Sequence, residues 1–217
     1  MKLVRIPSLP VLAILPLLAL SLQACVELAV VGAGTAALAV SDRRTTGVQV
    51  DDEGIELRAT NRVAERFGLK VHVNITSFNR NVLVTGEVPD SKTRDEIDKM
   101  IQGVPSVRGV TNELQVIDAT SIMSRATDTT ITGKVKARLF DSGKLNPIHV
   151  KVVTENAIVY LLGIVTEAEA NAAVEVARTT GGVRKVVKVF DYCKPTEAVC
   201  SRGAKAEEPK SGTKPAS

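Results

Sequence analysis

Hydrophobic residues recur along this chain with two alternating periods. Ile55, Ala59, Val63 and Phe67 come every four residues, which sets them on one face of a helix. Lys70 to Ser77 then alternates, with Val71, Val73 and Ile75 on one side, the period of a strand. Asn79-Arg80-Asn81 is a turn rich in residues that tolerate left-handed backbone. Val82 to Val88 is a second strand, so the pair predicts a hairpin. Asp90 can cap the helix that follows by accepting a free backbone N–H. In that helix Ile97, Met100 and Ile101 face inward, while Lys92, Asp95, Glu96, Asp98 and Lys99 stay in water. Gly103 and Pro105 end it, and Val107 to Ile117 is a third strand.

The same pattern then returns at an offset of 77 residues. His72 aligns with His149, Val73 with Val150, Asn79 with Asn156, Val82 with Val159, Gly86 with Gly163 and Val88 with Val165. One residue is lost further on, and Val107-Arg108 meets Val183-Arg184. Thr166 and Glu169 form a capping box before the second copy's second helix. Two copies of one supersecondary unit mean two tandem small domains. Each runs helix-strand-strand-helix-strand, and the helix between the last two strands makes a right-handed crossover. The expected fold class is therefore α+β, with a three-stranded mixed sheet covered by two helices in each copy. About 65 residues is near the lower limit for a self-sufficient core, so two units could support each other by packing together.

The N-terminus follows a different rule. Lys2 and Arg5 precede an apolar run from Leu9 to Leu22, interrupted by Pro10 and Pro16 and too short to favour a spanning helix. It ends in Leu22-Gln23-Ala24-Cys25, which resembles the bacterial lipobox. That resemblance implies that Cys25 is acylated and becomes the first mature residue, and Val26 after it implies the outer membrane. Acyl chains anchor at about 0.8 kcal/mol per buried CH₂. Val30-Val31-Gly32-Ala33-Gly34-Thr35-Ala36-Ala37 looks like a dinucleotide fingerprint, with Asp51 beyond it. The polar stretch Ser41 to Gly47 cuts off the helix such a site needs, so a small-residue tether is the better reading.

The doubled Val-x-Val/Leu-x-Gly-x-Val segments, Val82 to Val88 and Val159 to Val165, each followed by a helix and a strand, resemble BON domains. With Cys25 and Asp42-Arg43-Arg44-Thr45-Thr46-Gly47 ahead, the chain over about 25–192 is similar to dual-BON outer-membrane lipoproteins. The resemblance implies phospholipid binding, a role in envelope integrity, a periplasm-facing location and no catalysis. The expected layout is a signal peptide over 1–24, a tether over 25–50, domain 1 over 51–118, a linker over 119–127, domain 2 over 128–192 and a disordered tail over 193–217.

Charge and composition narrow the chemistry. There are 28 Lys+Arg and 24 Asp+Glu; without Lys2 and Arg5 the mature part carries 26 against 24, a formal +2. That balance argues against a nucleic-acid partner, and 3% aromatics argue against a base-stacking surface. No nucleophile triad, phosphate loop or paired carboxylates mark a catalytic site. His72 and His149 alternate with core-facing residues and so are expected outward or at a sheet edge. A metal would need further ligands that no Cys or acid cluster supplies, so neither metal nor cofactor is expected beyond the acyl chains at Cys25. Gly86 and Gly163 mark a bend or a close backbone approach. Export puts Cys193 and Cys200 in an oxidising compartment, where they are expected to pair, the alternative being two free thiols on a loose tail.

The first helix of the second copy is the candidate membrane surface. Ile131, Val135 and Leu139 share one face, expected to be core. The opposite face holds Thr130, Gly133, Ala137 and Phe140, flanked by Lys134, Arg138 and Lys136. Small residues, one aromatic and a basic rim suit an anionic phospholipid membrane, with Phe140 entering the acyl boundary. The alternative is a solvated helix with Phe140 folded back into the core. Charges on the first copy's helix largely cancel, with Glu56 and Glu65 beside Arg58, Arg62 and Arg66. The competing function is an adaptor that binds an envelope protein through its exposed sheet or helix surfaces.

Overall fold

The computed structural model of the chain describes residues 42–117 and 122–202. The segment 1–24, Cys25, the Gly32-Ala33-Gly34 stretch and the tail beyond residue 202 lie outside the described residues.

Domain 1 comprises α1 (Thr46–Phe67), β1 (His72–Phe78), β2 (Asn81–Val88), α2 (Ser91–Gln102), β3 (Gly109–Asn112) and β4 (Gln115–Val116). Domain 2 comprises α3 (Ile122–Ser142), β5 (Val150–Glu155), β6 (Ile158–Val165), α4 (Glu167–Arg178) and β7 (Lys185–Tyr192), followed by one helical turn, α5 (Ala198–Ser201). In each sheet the middle strand pairs antiparallel with its hairpin partner and parallel with the last strand. Both crossovers are helical, as a parallel pair requires.

Three expected boundaries are corrected. The tether does not reach residue 50: α1 starts at Thr46, because the Thr45 side chain accepts from Val48 N and caps it. Nor is 119–127 wholly a linker. No Gly or Pro stands between residues 118 and 132 to stop a helix, and α3 runs from Ile122. The expected single strand Val107 to Ile117 is split into β3 and β4. Glu113 N still donates to Val84 O (2.8 Å), but Leu114 leaves the ladder between them and turns into the core.

Each hairpin closes through two residues at positive φ, Asn79 (53°) and Arg80 (63°) in one copy, Asn156 (52°) and Ala157 (59°) in the other. Such turns match the right-handed twist of the flanking strands. A buried carboxylate from the preceding helix holds each turn. Asp52 accepts from Asn79 N (2.9 Å) and Arg80 N (2.7 Å). Asp128 accepts from Asn156 N and Ala157 N, both at 2.8 Å. Backbone donors thus satisfy charges that burial would otherwise penalise.

One face of each sheet packs under its helices. Ile55, Ala59, Val63, Val82, Val84, Ile97 and Ile101 form the first core; Ile131, Val135, Leu139, Val159, Leu161, Ala173 and Ala177 form the second. The opposite faces pack against each other. Phe78 and Leu83 of domain 1 cluster with Tyr160, Leu162, Ile164, Cys193 and Cys200 of domain 2. The disulfide Cys193–Cys200, Cα–Cα 5.9 Å, therefore lies in a third apolar cluster and not on a loose tail outside the cores. Sheet faces read as free for a partner protein are likewise largely occupied.

A polar rim surrounds that interface. Asp191 accepts from Asn79, Asn81 and Arg108, and Lys151 pairs with Glu56 at 3.0 Å. Arg43 is buried against domain 2, donating to Ile164 O and Cys200 O and pairing with Glu169. Its neighbour Arg44 pairs with Asp42 and Asp52 and lies 4.1 Å from the centre of the Phe78 ring. The short segment before α1 is thus fastened to both domains.

Candidate membrane-binding surface

α3 presents the two faces that its spacing predicts. Ile131, Val135 and Leu139 are buried, while Thr130, Gly133, Lys134, Lys136, Ala137, Arg138 and Phe140 are exposed. Phe140 is 74% exposed and does not fold back into the core. A Cβ at Gly133 would meet nothing within 4 Å, so the small-residue face is open.

Two of the five candidates are committed elsewhere. The Thr130 hydroxyl donates to Ala126 O (3.1 Å), within its own helix. Arg138 donates to Thr180 Oγ1 (2.7 Å), Val176 O (3.1 Å) and Thr179 Oγ1 (3.1 Å), at the C-terminal end of α4. Unpaired carbonyls there carry partial negative charge, which draws the guanidinium. Arg138 is therefore first a strut between α3 and α4. Lys134 and Lys136 form no ion pair among the described residues.

Beside Phe140 a cleft of about 430 Å³ runs between the end of α3 and domain 1. Its walls are Leu139, Phe140, Pro147, Ile148 and Phe78, with Lys136, Lys151 and Arg44 among the lining residues. Sequence reasoning missed this cleft because Arg44 and Phe78 reach it from the other domain. On α1, Arg66 pairs with Glu96 (2.7 Å) and Arg62 donates to Gly103 O. No helix among the described residues is long and apolar enough to cross a membrane.

The histidines are placed differently from the expectation. The sheet face they share is the interdomain face, so neither simply points to solvent. His149 is buried, with Nδ1 3.6 Å from Glu169 Oε1. His72 Nδ1 lies 2.8 Å from Glu87 Oε2, and Glu155 of domain 2 reaches the same corner. Burial above all, with Glu87 and Asp128 nearby, raises the Glu155 carboxyl above the usual range, against the opposing pull of Asn74 and His72. These acids are 15 and 83 residues from His72, a spacing with no motif; the register of β1 on β2 and the packing of the sheets bring them together.

Gly86 and Gly163 are sites of close approach. A Cβ at Gly86 would overlap His72 O of β1, one at Gly163 would overlap His149 O just before β5, and Gly86 also has φ of 117°.

Comparison with known proteins places this arrangement. The family model for the BON domain matches residues 51–118 and again 127–194. The chain is 40% identical over 183 residues to Outer membrane lipoprotein DolP of Haemophilus influenzae, spanning 83% of this chain and 95% of that protein. It is 33% identical to a 21 kDa hemolysin of Actinobacillus pleuropneumoniae, over 70% of this chain and 79% of that protein. It is 28% identical to Osmotically-inducible protein Y of Escherichia coli, over 67% of this chain and 75% of that protein.

Proposed function

The chain belongs to the dual-BON outer-membrane lipoproteins, and from that premise we propose that it binds anionic phospholipid through α3 of its second domain and so supports envelope integrity. Its place is the outer membrane, facing the periplasm. One observation carries the reading: Phe140 stands exposed at the end of an open small-residue face, with Lys134 and Lys136 beside it and unpaired by acids. The ring can enter the acyl boundary while the lysines meet headgroup phosphates.

Magnitudes decide how much tethering matters. Near an anionic leaflet two lysines contribute roughly 2 kcal/mol, and burying a Phe side chain adds about 2 kcal/mol. Together that is in the millimolar range. An acyl anchor at Cys25 would raise the local lipid concentration and make so weak a site sufficient.

A second reading has its own observation. Val50 and Leu57 are 63% and 64% exposed and lie seven residues apart on α1, a spacing that suits the docking of a partner helix. Flotation of residues 26–217 with vesicles separates the two. Phospholipid binding gives flotation with anionic vesicles that falls with added salt, and little with zwitterionic ones. Failure to float with either composition favours the adaptor.

A further inference from the structure

The cleft between the end of α3 and domain 1 combines hydrocarbon walls with positive charge. Phe78, Leu139, Phe140, Pro147, Ile148 and Val150 form the apolar lining. Lys136, Lys151 and Arg44 are its charged lining residues, and no carboxylate joins them. The clefts around His72, Asn79 and Tyr192 each include at least one Glu or Asp.

The walls are set by bonds within the protein. The Asn146 side chain accepts from Ile148 N at 3.2 Å, which holds Pro147 and Ile148 in a 3-10 turn. Arg44 lies over the Phe78 ring and pairs with Asp42 (2.8 Å) and Asp52 (2.9 Å). Those bonds engage one N–H on each guanidinium nitrogen, so each Nη keeps a second donor. Lys151 Nζ donates to Glu56 (3.0 Å) and Ser77 O (3.5 Å), which leaves its third N–H. The acids take up part of the charge and orient the cations without exhausting their donors. Lys136 forms no ion pair among the described residues.

We propose that this cleft is a second lipid site, which takes one single-chain anionic amphiphile, a lysophospholipid or a fatty acid, apart from any bilayer. The chain would lie along Phe140, Pro147 and Ile148, with the phosphate or carboxylate against Lys136 and Lys151. Charge-assisted hydrogen bonds select the anionic head, and burial of the chain adds affinity. A volume of about 430 Å³ is near the low end of ligand pockets, roughly 300–1,000 Å³, which suits one chain and not two. Because Phe78 and Arg44 come from domain 1, the bound molecule would touch both domains. The site does not depend on α3 docking to a bilayer. Lys136 and Phe140 belong to both surfaces, Lys134 to the bilayer face alone and Ile148 to the cleft alone.

The test is calorimetry and amide NMR on residues 26–217, which keep every described residue. The probes are lauroyl lysophosphatidylglycerol and laurate below their micelle concentrations, with lauroyl lysophosphatidylcholine as the zwitterionic control. The expected result is one anionic probe per chain at about 100 µM or tighter, with the control weaker by about tenfold or more. Shifts should appear at Arg44 and Phe78 as well as at Ile148. The tighter of the two anionic probes identifies the head. Ile148→Asp puts a carboxylate into an acid-free wall and should weaken probe binding by about tenfold or more. Lys134→Glu should weaken flotation with anionic vesicles and leave probe binding within about twofold. No saturable binding below the micelle concentration, shifts confined to α3, or equal binding of the zwitterionic control would overturn the cleft proposal, even where the chain still floats with vesicles. Probe binding by a chain that does not float would uphold the cleft and remove the bilayer reading. The shifts are read on the unaltered chain, so a variant that fails to fold does not blunt the test.

Discussion

Arg43 and Glu169 meet in a two-pronged ion pair, Nη1–Oε2 at 2.7 Å and Nη2–Oε1 at 2.9 Å, that joins the segment before α1 to the capping box of α4. Burial opposes the charge on Glu169, but the Arg43 guanidinium and the Thr166 backbone and hydroxyl outweigh it and hold the carboxyl at about 2. A carboxyl depressed on folding stabilises the native state above its unfolded value, near 4.5. That stabilisation is lost as pH falls from there toward 2. Arg43→Met should therefore lower unfolding free energy by about 3 kcal/mol at pH 7, since it strands a partly buried charge. Urea titrations across pH should show the gap from the native chain narrowing below pH 4.5. A gap that stays constant down to pH 2 would contradict this.

The disulfide should matter more than its short loop suggests. Closing so few residues is worth about 2–3 kcal/mol in loop entropy. Both cysteines also pack in the cluster between the sheets, and Cys200 O accepts from Arg43 Nε. Replacing both by Ser leaves two hydroxyls in an apolar site, at a cost of about 1 kcal/mol or more each. The measured drop should exceed 3 kcal/mol by chemical denaturation; a drop under 1 kcal/mol would mean that the bond is peripheral.

Two glycine substitutions should have opposite outcomes. Gly86→Ala places a Cβ on His72 O at a left-handed φ and should cost at least about 3 kcal/mol. Gly133→Ala adds a methyl group to open space in a helix and should stabilise by up to about 1 kcal/mol. Thermal unfolding of the two variants reads both signs.

The repeat made the two-domain α+β plan legible, because side-chain periodicity and the offset of 77 survive in sequence. Ile131, Val135 and Leu139 could be assigned to the core from one helical wheel, which left Phe140 open between surface and core. What periodicity cannot carry is the partner of a sheet's second face. His72 read as outward because Val71 and Val73 pointed in, yet outward from one domain is inward to the other. The turn-holding roles of Asp52 and Asp128 were hidden for the same reason, since each meets its amides 27–29 residues downstream. Arg138 looked like a free cation until α4 supplied Thr179 and Thr180.

Acylation at Cys25 is an expectation from Leu22-Gln23-Ala24-Cys25. Mass spectrometry of the mature N-terminus should show an acylated Cys25, and Cys25→Ser should leave the membrane fraction. A mature N-terminus elsewhere would contradict it.

The most direct test is the double reversal Lys134→Glu and Lys136→Glu in residues 26–217, read by flotation with anionic vesicles. Arg138 is left intact because it braces α4. Lys92→Glu with Lys99→Glu, on the exposed side of α2, makes the same change in net charge and serves as the control. With roughly 1 kcal/mol at each lysine, the α3 reversal should weaken binding about thirtyfold or more, while the α2 control loses much less. Equal losses in both variants would mean that net charge and not this surface governs binding. A folded α3 variant that floats like the unaltered chain would contradict the membrane role of α3 outright.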